Sequence, residues 1–379
     1  MADPIDVYFQ QAQLSMAAYG NLFVGITNEE YKAALKVDNR FTDALATEFV
    51  NKYSIVQVFS DPLSDFQATL FQDKQGLSKK FLAIRGTEGF RDLVITDVQL
   101  GLFGTTNQNQ SLKNIYTQLI GLVNPSDTFT VTGHSLGGFL AQIFTANPPP
   151  IPVSHAYTFN APGLDSAFSN LFGLIGSSAA VPFGLNTNLV GQGHTFVSSA
   201  GTQLGERRDI FIETSLNPLT NHSIATLTDA LALYDLFVRV DPTLSIQNIT
   251  AILNAVSATS LFSLERGLDG LRTIFQGLTA TLTPAENRVA YHDNLLSFRN
   301  SFPLVTVSPY HIVNLAGNEQ IAVSLARSQS SEGLAYRYAL RELNPFVVVG
   351  AGYGLHNVGG AFDLYDAQTG QGTMTEEHN

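Results

Sequence analysis

The residue pattern predicts an α/β fold with a mostly parallel sheet, followed by a mainly helical C-terminal extension. In the first half of the chain, short apolar runs alternate with segments of helical periodicity, which is typical of parallel α/β sheets. From Ser223 onward, helical periodicity dominates. A glycine-rich turn at residues 133–138 directly follows the apolar run 129–132 and precedes an amphipathic helix, which indicates a site at the carboxyl edge of that sheet.

The predicted α/β domain covers residues 1–240. Its helices are expected at residues 4–20, 43–53 and 111–122, and a further helix is expected to begin near Phe139. Its strands are expected at residues 54–59, 66–71, 80–85, 129–132, 155–159, 188–190 and 209–213.

The predicted extension covers residues 241–379 and is expected to pack on the α/β domain. Helical periodicity occurs at residues 224–240, before the boundary, and then at 246–256, 261–276, 284–299, 319–326 and 332–341. The last segment, 346–379, is glycine-rich and polar, and a hairpin is expected near residues 350–360.

Composition excludes several classes of protein. The chain has 379 residues, of which 44% are hydrophobic and 14% charged, so it can bury a sizeable core. Its formal net charge of −12, without a basic cluster, argues against nucleic-acid binding. It has no cysteine, which excludes disulfides and a cysteine nucleophile. No apolar stretch reaches membrane-spanning length, the histidines are too scattered to predict a metal site, and no cofactor is expected.

The glycine-rich turn reads Gly-His-Ser-Leu-Gly-Gly and has the G-x-S-x-G pattern of a nucleophile elbow. Such a turn forces its serine, here Ser135, into a strained backbone conformation that exposes the hydroxyl above the sheet. Side chains at the flanking glycine positions would clash with the adjacent strand and helix. The strand before the turn and the helix after it favour this interpretation over an ordinary Gly/Ser-rich turn.

A serine hydroxyl becomes a useful nucleophile when a neighbouring imidazole removes its proton. His222 is the expected base, because it follows the last predicted strand and a polar loop and precedes the helix at 224–240. The alternative is a surface or helix-capping histidine. His134, next to the serine, is expected to pack under the turn.

Four segments carry a resemblance to a known family. They are Ala-Ile-Arg-Gly-Thr at residues 83–87, the Asp-rich run at 92–97, the elbow at 133–138, and Tyr-Thr-Phe-Asn-Ala-Pro-Gly at 157–163. Together they resemble the class 3, or fungal-type, lipases of the α/β-hydrolase fold, over roughly residues 15–225. In that fold the serine precedes the histidine along the chain, as Ser135 precedes His222 here.

Segments further along the chain resemble the lipase portion of very large secreted bacterial proteins; they lie at residues 221–224, 228–236 and 335–345. This resemblance implies an extracellular protein, although the N-terminus has no signal-peptide pattern. The calcium-binding repeats that follow the lipase portion in those proteins are not found in this sequence. The chain is therefore expected to lack that tail or to be a piece of a larger protein.

The resemblance implies an oxyanion hole made of two backbone amides. Leu136 supplies one amide, as the residue after the nucleophile. Thr87 supplies the other, because it matches the Ser/Thr that follows Arg-Gly in the family.

The catalytic acid is where the sequence departs from the family. The family places an aspartate after the strand that comes before the histidine strand, followed two residues later by valine, and the corresponding run at residues 193–197 has no acidic residue. Asp165, Glu206, Asp209 and Glu213 are the remaining candidates. Asp165 is chosen because it follows a strand at its carboxyl end, where active-site residues gather. A serine–histidine dyad without an acid is the alternative.

These observations predict a serine carboxylester hydrolase that cleaves lipid esters through an acyl-enzyme on Ser135, with His222 as general base. Two alternatives are a non-catalytic module that binds lipid or a surface, and a phospholipase or acyltransferase on the same scaffold. The substrate partner is a lipid or ester, with transient contact to lipid aggregates. The apolar run at residues 164–185 is interpreted either as a lid over an acyl-chain groove or as buried core.

Overall fold

The structure is a computed structural model, and it describes residues 4–86, 105–146, 151–163, 184–193, 204–277, 281–366, 368–369 and 371–372. The chain forms two compact units: one is Val7–Thr228, and the other combines Met1–Asp6 with Asp229–Asn379. The division falls inside a helix, Ile224–Val240. The domain boundary after residue 240 stays a prediction.

The first unit is built on a seven-stranded sheet. Its strands are β1 Tyr53–Asp61, β2 Phe66–Asp73, β3 Lys79–Ile84, β4 Thr128–His134, β5 His155–Phe159, β6 Asn186–Gly191 and β7 Glu206–Ile210. Its helices are α1 Ile5–Ala17, α2 Asn28–Leu35, α3 Asp43–Lys52, α4 Thr105–Asn114, α5 Tyr116–Leu122, α6 Leu136–Ala146 and α7 Pro218–His222. The helix α8, Ile224–Val240, leads into the second unit.

The strands lie in the sheet in the same order as in the chain, from β1 to β7. The first two pairings are antiparallel, and every pairing from β3 to β7 is parallel. All carboxyl ends of the parallel strands therefore face one edge of the sheet, where ligand sites of α/β folds lie. The predicted fold class, α/β with a mostly parallel sheet, is confirmed.

The inner strands of the sheet are buried. β6 is buried along its whole length, and β4 is buried from its second residue onward. Helix α6 packs against one face of the sheet, with Phe139, Leu140, Ile143 and Phe144 at most 1% exposed. Aromatic rings extend this core, because Phe144 makes an edge contact with the Phe129 ring, 6.1 Å between centroids. The elbow thus sits on a rigid base.

Some element bounds differ from the prediction. The predicted helix at 111–122 is two helices, α4 and α5, and α4 begins earlier, at Thr105. The last strand spans Glu206–Ile210 rather than 209–213, and the elbow helix begins at Leu136 rather than near Phe139. Helix α2, a short polar helix that begins with a capping box between Thr27 and Glu30, was not predicted from the sequence.

The second unit is mainly helical. Its helices are α9 Ile246–Ser257, α10 Ser263–Gln276, α11 Arg288–Arg299, α12 Glu319–Ala326 and α13 Ser331–Arg341. It also contains an antiparallel pair that the sequence analysis missed, β8 His311–Asn314 with β9 Phe346–Val349. The hairpin expected near residues 350–360 is wrong: two short 3₁₀ turns, Tyr353–Leu355 and Val358–Gly360, occupy this region.

Within the described residues, no helix combines the length and the apolar character that crossing a membrane requires.

Candidate active site

Ser135 sits at a sharp turn between β4 and α6. Its φ angle is +57°, in the left-handed region that residues with a side chain rarely adopt. Hydrogen bonds hold the turn on both sides: the Ser135 N–H donates to the Phe159 carbonyl at 2.9 Å, and the Ser135 carbonyl accepts from the Phe139 N–H at 3.0 Å. The strained serine of the predicted elbow is present.

The turn requires glycine in the elbow, because neighbouring atoms lie too close to leave room for a side chain. A Cβ at Gly133 would overlap the Gly137 carbonyl and lie 2.8 Å from the Gly138 nitrogen. A Cβ at Gly138 would lie 2.6 Å from the Cβ of Ala161. The backbone of α6 therefore approaches β4 and β5 as closely as only glycine permits.

His222 contacts the serine directly. Its Nε2 lies 2.8 Å from the Ser135 Oγ, and both residues are buried, at 9% and 3% exposure. His222 is the last residue of α7, rather than a loop residue before α8. A hydrogen-bonded loop supports this short helix, because Asn221 bonds to Ser215 through both its amide nitrogen and its oxygen. The structure brings the predicted nucleophile and base together; their catalytic roles stay a prediction.

Three further residues support the backbone of His222, two directly and one through His134, and none of them was predicted in this role. The His222 carbonyl oxygen accepts from His134 Nε2 at 2.7 Å and from Asn160 Nδ2 at 3.1 Å. The Tyr19 hydroxyl lies 2.9 Å from His134 Nδ1. His134 therefore does more than pack under the turn. The Asn-Ala-Pro-Gly run after β5, part of the family resemblance, was a signal for Asn160, whereas no local pattern indicated Tyr19.

Of the predicted oxyanion hole, only one half falls in the described part of the chain. Leu136 is the first residue of α6, so its amide is at a helix N-terminus, where the helix dipole stabilises a negative charge. Thr87 lies outside the described residues.

The acid candidates are found in different surroundings. Asp165, the predicted acid, lies outside the described residues. Glu206 begins β7 and pairs with Arg208 at 2.7 Å, while Asp209 pairs with Arg207 at 2.9 Å. Glu213 is half-buried and follows the end of β7, which is Ile210 rather than Glu213 as expected. Glu213 thus lies beyond the carboxyl edge of the sheet, in the loop that leads to His222.

Among the residues that the structure describes, no group of three or more His, Asp or Glu side chains is arranged to hold a metal ion.

The mostly parallel sheet, the left-handed serine between a strand and a helix, and the histidine after the last strand of that sheet are features of the α/β-hydrolase fold. Residues 10–182 match the Phospholipase-like family model, described as a Tle-like phospholipase domain. The chain therefore resembles lipases and phospholipases, as its motifs predicted.

Solved structures of fungal lipases are also similar to this chain. Lipase II from Rhizopus niveus is 18% identical, with 52% of this chain and 75% of that chain covered and a TM-score of 0.34. Rhizomucor miehei triacylglyceride lipase is 18% identical, with 56% and 82% covered and a TM-score of 0.36. A mutant of MDLA from Penicillium cyclopium is 17% identical, with 56% and 81% covered and a TM-score of 0.36. No curated protein matches the chain.

Proposed function

We propose that the protein is a serine carboxylester hydrolase that cleaves lipid esters. The observation that carries this proposal is the 2.8 Å contact between Ser135 Oγ and His222 Nε2, made at a serine with φ of +57°. Strain of this kind in a buried, hydrogen-bonded turn is typical of functional sites. The match of residues 10–182 to a phospholipase-domain model supports an ester substrate.

The proposed reaction begins when His222 Nε2 accepts the Ser135 proton as the serine oxygen attacks the ester carbonyl. The carbonyl oxygen becomes an oxyanion, which the Leu136 amide and the expected Thr87 amide stabilise. The C–O bond to the alcohol then breaks, and His222 returns its proton to the departing alcohol. Water next attacks the acyl-serine, His222 accepts the water proton, and the carboxylic acid leaves as Ser135 is reprotonated.

Asp165 remains our proposal for the acid that orients the imidazole. Each candidate is tested by its amide variant: Asp165→Asn, Glu206→Gln, Asp209→Asn and Glu213→Gln. A large loss of kcat in one variant alone identifies the acid, since a missing carboxylate leaves the imidazole in the wrong tautomer. Equal activity in all four variants indicates a dyad.

The nucleophile is tested by hydrolysis of p-nitrophenyl esters and by labelling with a fluorophosphonate probe. We expect Ser135→Ala to lose at least about 10³-fold in kcat and all labelling, and His222→Gln to lose about 10³-fold in kcat. Ser111→Ala is the matched control, because Ser111 is buried at 4% exposure and donates to an aspartate, Asp61, at 2.5 Å, away from the elbow. Full activity in Ser135→Ala would overturn the proposal, and an unlabelled, inactive wild type would indicate the non-catalytic lipid- or surface-binding module.

A phospholipase is the more specific candidate, because the matching family model describes a phospholipase domain. Hydrolysis of phosphatidylcholine against triolein and a matched p-nitrophenyl ester separates the two lipid classes. Preferred release of fatty acid from triolein would contradict the phospholipase candidate and leave the ester hydrolase in place. Extracellular action, implied by the resemblance to secreted proteins, is part of the same proposal.

A further inference from the structure

We propose that Tyr19 and His134 are positioning residues that fix the catalytic base, acting through the main-chain carbonyl of His222. The proposal rests on the proposed function, since it assigns His222 the role of base. It concerns a hydrogen-bonded chain that runs from the Tyr19 hydroxyl through the His134 ring to the carbonyl oxygen of His222.

The His222 carbonyl is the point of attachment because α7 ends there. The last carbonyls of a helix have no partner within the helix, and α7 is only five residues long. Two side chains supply donors to this oxygen: His134 at 2.7 Å and Asn160 at 3.1 Å. The C-terminal end of the helix that carries the base is thereby held from two directions.

The geometry fixes the tautomer of His134. A carbonyl oxygen only accepts hydrogen bonds, so the proton of the neutral ring lies on Nε2, which faces the His222 carbonyl. Nδ1 is then an acceptor, and the Tyr19 hydroxyl donates to it at 2.9 Å. Tyr19 therefore acts on the base by keeping the His134 proton on the nitrogen that needs it.

The Tyr19 hydroxyl is itself held in a narrow site. Tyr19 is 9% exposed, and the Arg40 guanidinium lies over its ring, 4.8 Å from the centroid. A Cβ at Gly86 would overlap the Tyr19 hydroxyl and lie 2.7 Å from the His134 carbonyl oxygen. This glycine leaves room for the hydroxyl beside the end of β3, next to the expected oxyanion residue Thr87.

The same contacts tie the base to the nucleophile. His134 directly precedes Ser135, and Asn160 directly follows Phe159, whose carbonyl accepts the Ser135 N–H at 2.9 Å. Asn160 also accepts from the Gly191 N–H at 2.9 Å, which links the end of β6 to the site. Serine and histidine thus share one hydrogen-bonded frame, and a displacement of about 1 Å between such groups lowers rates by about 10²-fold.

A double-mutant cycle distinguishes positioning from a purely structural role. Tyr19→Phe removes only the hydroxyl, and we expect kcat to fall about tenfold with KM within about twofold. His134→Leu removes both the donor to the His222 carbonyl and the acceptor that Tyr19 needs. In that background, Tyr19→Phe should change kcat by less than about twofold, because Tyr19 then has nothing to act through.

The matched control is Tyr31→Phe, since Tyr31 is also buried, at 3% exposure against 9% for Tyr19, lies in the same unit, and packs its ring on Phe49. It should leave kcat unchanged. Equal losses from Tyr19→Phe in both backgrounds, or an unchanged kcat in the wild-type background, would overturn the proposal.

Failure of the inference and failure of the proposed function give different results. If Ser135 is not labelled by fluorophosphonate, the proposed function fails, and with it the positioning role of Tyr19 and His134. If Ser135 is labelled and needed while the cycle shows no coupling, only the inference fails. The ¹⁵N chemical shifts of the His134 ring give a readout that does not depend on turnover. A proton on Nε2 in wild type supports the proposed hydrogen-bonded chain, and a proton on Nδ1 contradicts it.

Discussion

The strained conformation of Ser135 depends on glycine residues in the elbow, which have no side chain. A left-handed conformation at a residue with a Cβ raises the free energy by about 1–3 kcal/mol, and the surrounding structure must offset this. The offset comes from the tight approach of α6 to β3, which brings Gly137 against the Ile84 carbonyl oxygen. The glycine and the strained serine are therefore two parts of one feature.

Replacing Gly137 by alanine should disrupt this approach. The added Cβ would overlap the Ile84 carbonyl and lie 2.8 Å from the Gly86 nitrogen, and neither backbone group can move without shifting β3. We expect Gly137→Ala to lower the free energy of unfolding by at least about 3 kcal/mol, measured by urea denaturation.

Gly121→Ala is the control, because nothing lies within 4 Å of its Cβ position in α5. It should be neutral or stabilise by about 0.5–1 kcal/mol. Similar stability of the two variants would contradict the close-approach interpretation.

The sequence predicted some residues of the candidate site and not others. Ser135 was found because the elbow is a local pattern, and His222 because its position after the last strand is set by chain order. Tyr19 was not found, since its contact with His134 spans 115 positions and no local pattern encodes it. Asn160 was recognised only as part of a motif, because its bond to the His222 carbonyl joins residues 62 positions apart.

A partly buried ion pair joins two elements of the second unit. Asp229 of α8 receives two bonds from Arg288 of α11, at 2.5 and 2.8 Å, and His292 Nε2 lies 3.1 Å away. Burial alone would raise the pKa of the Asp229 carboxyl, but the nearby Arg288 and His292 outweigh it and hold that pKa at about 2. The ordinary value is 3.8.

This shift predicts a specific loss of stability in acid. Because the folded-state pKa of Asp229 lies below its ordinary value, the stabilisation is present above about pH 4 and is lost as pH falls toward 2. The loss amounts to about 2 kcal/mol. Arg288→Gln removes the charge that lowers the pKa while burial remains, so the acid unfolding midpoint should move to higher pH, as measured by urea denaturation across pH 2–6.

Arg207→Gln is the control for this prediction. Arg207 pairs with Asp209 on the surface, with side chains 38% and 53% exposed, so its loss should change stability by at most about 0.5 kcal/mol. An acid midpoint that is the same in Arg288→Gln and wild type would show that Asp229 does not carry the effect.

Helices of several turns and strands with a long apolar run were predicted from the sequence. Elements with only a short residue pattern were missed. The strands around the elbow were recognised from apolar runs. β8 has only four residues, and its pairing with β9 brings together segments more than thirty positions apart in sequence. A pattern of four residues is too short to separate a strand from a loop, so long-range pairing decided this element.

The whole molecule carries a formal net charge of −12, which sets how it meets a charged lipid surface. Like charges repel, and the repulsion reaches about 30 Å at 0.01 M salt but only about 8 Å at 0.15 M. The protein should therefore approach neutral lipid more readily than anionic lipid.

We expect binding to phosphatidylglycerol vesicles to increase about two- to tenfold when salt rises from about 0.01 to 0.15 M. Binding to phosphatidylcholine vesicles is the control and should change little. Cosedimentation of the Ser135→Ala protein with vesicles measures both without hydrolysis. Stronger binding to the anionic vesicles at low salt would mean that a local positive surface outweighs the net charge.

The strand order has a consequence for how the chain is made. Because each strand of the sheet neighbours the strand synthesised just before it, a ribosome releases each new strand next to an edge that already exists. No later strand has to insert between two strands that are already paired, so the sheet can assemble from β1 to β7 as the chain is translated. His222, the proposed base, arrives only after the last strand of this sheet, so the proposed activity is expected to be absent from the nascent chain until the sheet is finished.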